Sequence, residues 1–77
     1  MEKITVYGAD WCPLTRHALQ HLNQIGAEYK YINVEEDPDA SEWVKKHNHG
    51  KEIKPTVDIG GRVLSKPTDR ELDAALA

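Results

Sequence analysis

The chain carries one cysteine, Cys12, in the run Asp10-Trp11-Cys12-Pro13-Leu14-Thr15. A cysteine thiolate is a strong nucleophile, so this run is where covalent chemistry is sought first. It follows a stretch of strand character and precedes one of helical periodicity, which predicts Cys12 at the N-cap or first turn of a helix. Unpaired backbone N–H groups converge there, and the helix macrodipole favours negative charge. Pro13 has no N–H to leave unpaired, and its fixed φ suits the first helical turn. Arg16, four residues on, is expected to add positive charge near the sulfur. Each feature favours thiolate over thiol, and Cys12 is read as reactive. The competing reading is a buried, inert cysteine acting as a small hydrophobe. Trp11, beside it in an exposed turn, is expected to wall a substrate groove.

The elements that must position this turn follow from periodicity. Residues 3–7, Lys-Ile-Thr-Val-Tyr, alternate and are rich in β-branched side chains, which predicts a strand. From Pro13 the period becomes helical: Leu14, Ala18, Leu22 and Ile25 share a face, Leu19 widens it, and Gly26 is a natural stop. Residues 28–34 return to strand character. Residues 37–48 open with acidic residues and Pro38, and place Trp43, Val44 and His47 on one helical face. Residues 55–64 read as two short strands around Gly60-Gly61. The tail, 68–77, offers Thr68 or Asp69 as a cap and Leu72, Ala75 and Leu76 as an apolar stripe. The order is β-α-β-α-β-β-α. The first strand, crossover helix and second strand make a parallel pair, and the hairpin extends the sheet antiparallel. The fold class is thus α/β, a four-stranded mixed sheet flanked by three helices that cover both faces. Cys12 then lies at the carboxyl end of a strand, where α/β sheets favour ligand sites.

Composition narrows the function. Seventy-seven residues predict a single domain, 1–77, with a small core. A net charge of −3 and scattered basic residues argue against nucleic acid as a partner. One cysteine cannot form an internal disulfide, and the first ten residues lack the apolar core of a signal peptide. No apolar stretch approaches membrane-spanning length. A cytoplasmic monomer with no membrane partner is expected. His17 and His21 have the spacing of a metal pair, but no further ligand follows at a matching distance, so they are read as a partly solvated helix flank and no metal site is assigned. Trp43 is read as core, and Glu35-Glu36-Asp37 as a helix entry that aids solubility.

The Trp11-Cys12-Pro13 turn after a short strand resembles the active-site turn of the glutaredoxin and thioredoxin group. The likeness continues through residues 31–40, Tyr-Ile-Asn-Val-Glu-Glu-Asp-Pro-Asp-Ala, and through Pro55-Thr56 and the hairpin that follows. It spans nearly the whole chain and implies a thioredoxin-like (glutaredoxin) fold. By this resemblance Pro55 is a cis proline facing the active site, and the backbone of Lys54 pairs with an extended or glutathione-like substrate. Lys54 stands where a small apolar residue is usual, either to pair with a substrate carboxylate or simply solvated. Thr68 and Asp69 replace the usual glycine-rich patch before the last helix; they are expected to offer a helix N-terminus and a carboxylate to a γ-glutamyl group. This segment is similar to mycoredoxin-like and other small bacterial redoxins as well, so the co-substrate is glutathione or another low-molecular-weight thiol, with no tightly bound cofactor.

Thr15 stands where a dithiol site has its second cysteine. An alcohol cannot resolve a mixed disulfide at neutral pH, although its hydroxyl can donate to the Cys12 thiolate. The chain is therefore read as a monothiol thiol–disulfide oxidoreductase acting on protein mixed disulfides, with Cys12 and Thr15 as catalytic residues. Trp11, Pro13, Arg16, Lys54, Pro55, Thr68 and Asp69 line its substrate groove. The alternatives are a non-catalytic module that binds a partner peptide or an iron–sulfur cluster, and a dithiol enzyme whose second cysteine was replaced to trap the mixed disulfide. Gly-Phe-Ser usually follows the cysteine in cluster-binding relatives, and Pro13-Leu14-Thr15 departs from it.

Overall fold

A computed structural model describes residues 3–77. Its elements run β1 (Ile4–Gly8), α1 (Pro13–Gln24), β2 (Lys30–Asn33), α2 (Pro38–His47), β3 (Thr56–Ile59), β4 (Arg62–Ser65) and α3 (Asp69–Leu76). The sheet order is β2-β1-β3-β4. β1 pairs parallel with β2 and antiparallel with β3, with Val6 opposite Tyr31 on one side and Val57 on the other. β3 and β4 form the antiparallel hairpin, turning at Gly60 and Gly61, whose positive φ values of 59° and 96° suit glycine. The mixed sheet with three helices is the thioredoxin-like fold expected from the sequence.

Strand alternation divides the interior in two. Ile4, Val6, Val57 and Ile59 point to the face covered by α1 and α3, where they pack with Ala18, Leu22 and Leu72. Tyr7 and Ile32 point to the opposite face and meet Val34, Ala40, Val44 and Trp43 around α2. Trp43 is half-buried, stacked on Tyr7 at 4.5 Å between ring centroids, with His47 against its other side at 4.0 Å. Helix α2 is capped by Asp37, whose carboxylate accepts the Ala40 N–H at 3.1 Å. Helix α3 opens with a full capping box between Thr68 and Glu71.

One expectation about α1 is corrected. Leu14 and Ile25, placed on its buried face by periodicity, are 55% and 47% exposed, whereas Thr15 is fully buried. Successive helical positions lie about 100° apart, and α1 turns Thr15, not Leu14, toward the end of β1. Among the described residues no helix is long and apolar enough to cross a membrane.

Candidate active site

Three segments converge on Cys12. The first is the end of β1. Gly8 and Ala9 are buried there, and the Cys12 N–H donates to the Ala9 carbonyl at 3.1 Å. Thr15 packs so closely on this strand end that a Cβ on Gly8 would lie 2.5 Å from Thr15 Oγ1, which explains the glycine without any special backbone angle. The Thr15 hydroxyl also accepts the Ala9 N–H at 3.4 Å. The second segment is α1 itself. Cys12 is its N-cap, in extended conformation, with Pro13 opening the first turn.

The third segment is the loop before β3. Its Lys54–Pro55 bond is cis, as the resemblance implies, and Pro55 is buried. The loop is pinned by a buried network. The Asn48 side-chain amide donates to the Val44 carbonyl at 2.8 Å and to Thr56 Oγ1 at 3.3 Å; Ser65 donates to its oxygen, and Thr56 donates to the Ile53 carbonyl at 2.8 Å. The Lys54 carbonyl consequently lies 4.0 Å from Cys12 Sγ.

Opposing effects act on the thiol. Burial pushes it up, since Cys12 is only 7% exposed. Against this stand hydrogen bonds from the Thr15 N–H, the Thr15 hydroxyl and the Leu14 N–H to the anionic sulfur, together with the charge of Lys54. They prevail, and the thiol lies below its ordinary value of 9.0. The cation acting on the sulfur is thus Lys54, from across the groove, while Arg16 is exposed on the first turn of α1. A lowered thiol at a helix N-terminus, beside the exposed apolar side chains Trp11 (61%) and Leu14 (55%), has the chemistry that attack on a disulfide requires.

Lys54 is largely covered, 17% exposed, and ion-paired within the chain. Its Nζ lies 3.3 Å from Glu35 and 3.1 Å from Glu52, and 5.2 Å from the centre of the Trp11 ring. Trp11 Nε1 in turn donates to both Glu35 carboxylate oxygens at 2.9 Å, and Ser41 donates to Glu52. Burial works against the Lys54 charge, but the bonds to Glu52 and Glu35 more than offset it and raise its pKa. Glu52 is held low by the Ser41 bond first and by Lys54 second. Glu35, read from sequence as a helix-entry and solubility feature, is tied to Trp11 and Lys54 beside Cys12. Nearby, the Tyr31 hydroxyl donates to Asp10 at 2.6 Å, and burial, that bond and the charges of Asp10, Glu36 and Cys12 keep it protonated.

Thr68 and Asp69 start α3 beside α1, and the Lys66 N–H donates to the Pro55 carbonyl at 2.8 Å, tying this segment to the cis-proline loop. Asp69 bonds His17 Nε2 at 3.0 Å and lies 3.6 Å from His21 Nδ1, while His21 Nε2 meets Asp73 at 2.7 Å. The two histidines form the partly solvated flank read from the sequence, His17 65% exposed and His21 14%, and both are also joined to α3. Among the described residues no group of three or more His, Cys, Asp and Glu is arranged to hold a metal ion.

This arrangement, a thiol held below its ordinary value at the first strand–helix turn and facing a cis-proline loop, is that of a thioredoxin-fold redox protein. The structure superposes on a crystal structure of a thioredoxin-like protein with a TM-score of 0.86 and 26% identity, covering 99% of this chain and 96% of that one. The fold also matches the glutaredoxin from Archaeoglobus fulgidus, with a TM-score of 0.79, 19% identity, and coverage of 99% and 87%. The glutaredoxin family model matches residues 4–64. Mycoredoxin 1 from Corynebacterium glutamicum is 47% identical over 57 residues, 74% of this chain and 70% of that protein. A glutaredoxin from Vernicia fordii is 32% identical over 66 residues, 77% of this chain and 59% of that one. The chain belongs to the glutaredoxin family of thiol–disulfide oxidoreductases.

Proposed function

We propose that this chain is a monothiol glutaredoxin-like enzyme, a cytoplasmic monomer of one domain spanning 1–77, which reduces protein mixed disulfides with a low-molecular-weight thiol. The Cys12 thiolate attacks the small-thiol sulfur of the mixed disulfide. A Cys12–thiol disulfide forms, and the protein leaves as a thiolate that takes up a proton. A second small thiol, as its thiolate, then attacks the sulfur bound to Cys12. The small thiol departs as its disulfide and Cys12 is regenerated. Atoms and electrons balance: the mixed disulfide and one free small thiol become one protein thiol and the small thiol's own disulfide, with Cys12 unchanged at the end.

The observation that carries this reading is Cys12 itself, a thiol held below its ordinary value at a helix N-cap in a chain with no second cysteine. Thr15 supports the thiolate and leaves resolution to an external thiol. Pro55, Lys54, Trp11 and Pro13 shape the groove, with Arg16, Thr68 and Asp69 at its margins. The small thiol is glutathione or another thiol of its class.

The test is the rate of Cys12 alkylation against pH, followed by intact mass, together with reduction of hydroxyethyl disulfide by a small thiol. An inflection below 9.0, and turnover lost in Cys12→Ser, are expected. An inflection at or above the ordinary thiol value, or no reaction without denaturant, overturns the enzymatic reading.

A further inference from the structure

Trp11, Glu35, Lys54 and Glu52 form one connected wall beside Cys12, joined by the Trp11–Glu35 hydrogen bonds and the ion pairs of Lys54. Lys54 is the cation acting on Cys12, and a lone lysine there would attract a carboxylate on the incoming thiol. It is not alone. Its ammonium is shared between Glu35 and Glu52, at 3.3 and 3.1 Å, and its side chain is only 17% exposed. One positive and two negative groups leave this wall with an excess negative charge. The Glu35 carboxylate, 42% exposed, is the more open of the two anions, and it is fixed in place by the Trp11 indole. Asp10 and Glu36, grouped around Tyr31, add to the same sign. Arg16 on α1 and Lys66 after β4 are exposed cations, and a measured charge preference reads the balance of all these groups.

We infer that Glu35 is a specificity-determining residue beside Cys12, cancelling Lys54 together with Glu52 and favouring disulfides that carry a cationic group close to either sulfur of the scissile bond over those that carry a carboxylate there. The class of protein substrate this selects is a mixed disulfide on a cysteine flanked by lysine or arginine. This inference rests on Cys12 acting as the proposed nucleophile.

The experiment measures single-turnover oxidation of reduced Cys12 by three small disulfides at one pH: cystamine (dication), hydroxyethyl disulfide (neutral) and dithiodiglycolate (dianion). Each rate is divided by that of N-acetylcysteine amide, which removes the intrinsic preference of any thiolate. Ratios among the three are independent of how much Cys12 is ionised. A single charge at roughly 8 Å in a water-like dielectric changes a rate about two- to threefold. A normalised cystamine-to-dithiodiglycolate ratio of about five is therefore expected at low salt. It should fall toward one in ~1 M salt, where the screening length is about 3 Å. Glu35→Gln keeps an oxygen for the Trp11 indole while removing the charge, and should at least halve the ratio. A ratio near one at low salt, a preference for the dianion, or a ratio unmoved by both salt and Glu35→Gln overturns the inference while leaving the enzymatic reading standing. If Glu35→Gln fails to fold, the salt series on the unaltered chain decides. If no disulfide oxidises Cys12 faster than it oxidises the reference thiol, the enzymatic reading fails, and the inference falls with it.

Discussion

The Thr15 hydroxyl sits between two parts of the site. Its oxygen accepts the Ala9 N–H at 3.4 Å, and its proton is available to the Cys12 sulfur. A hydroxyl has one donor and two acceptor positions, so both bonds can exist together. Thr15 is fully buried, and water cannot replace either partner. Thr15→Val keeps the shape and removes the oxygen. The alkylation inflection of Cys12 is expected to rise toward 9.0, since one of the bonds opposing burial is lost. Stability should fall by about 1–3 kcal/mol, the usual cost of an unsatisfied buried donor, here the Ala9 N–H. Thr15→Ser keeps the oxygen and should restore the low inflection. Urea titration and the alkylation profile of both variants check this. An inflection unchanged in Thr15→Val would assign the lowered thiol to the backbone N–H groups and Lys54, without the hydroxyl.

Between elements, α1 and α3 are joined at their exposed edges by His17 and His21 on one helix and Asp69 and Asp73 on the other. The His21 imidazole is raised from its ordinary value of 6.5, first by the hydrogen bond to Asp73; burial opposes this, and the charges of Asp69 and Asp73 add to it. A raised folded-state pKa means the folded chain binds the proton more tightly than the unfolded one. The stabilisation is therefore fully present below 6.5 and is lost as pH rises through the raised folded value. His17 is the other titratable group facing Asp69, and it is 65% exposed. Thermal unfolding of the unaltered chain and of His21→Gln, at about pH 5.5 and about pH 8.5, should show a gap favouring histidine that narrows at the higher pH. A gap that is constant or widens would mean the contact does not depend on the imidazolium. Asp69 was expected to meet the substrate, and its engagement by two histidines draws that carboxylate toward α1.

At the scale of the whole molecule, the site is assembled from the carboxyl end of β1, the N-terminus of α1 and the cis-proline loop, while α3 closes the core beneath α1. Much of this was legible in the chain. Ile4 and Val6 alternate as a buried strand must, Gly60-Gly61 marks the hairpin, and Cys12-Pro13 stands where strand character gives way to helix. These signals are local, because each depends on residues a few positions apart. The parts that could not be read are contacts between distant segments. Glu35 reaches Lys54 across 19 residues, and His17 reaches Asp69 across 52, so neither pair follows from periodicity. The exchange of Leu14 for Thr15 on the buried face reflects the rotation of α1 against β1, which an apolar pattern alone leaves free. Helix α3 shows the same dependence on tertiary packing. It has 8 residues and one buried side chain, Leu72, and a helix this short does not persist without packing. Leu72→Ala should cost about 2–5 kcal/mol. For a domain of this size that corresponds to a melting temperature lower by about 10 °C or more. Amide hydrogen exchange should show α3 losing protection before α1. The Cys12 inflection should stay where it is, because the groups that set it belong to α1 and to Lys54. If the inflection moves with Leu72→Ala, α3 belongs to the reactive site itself, and its contact with α1 is part of what keeps the thiolate in place.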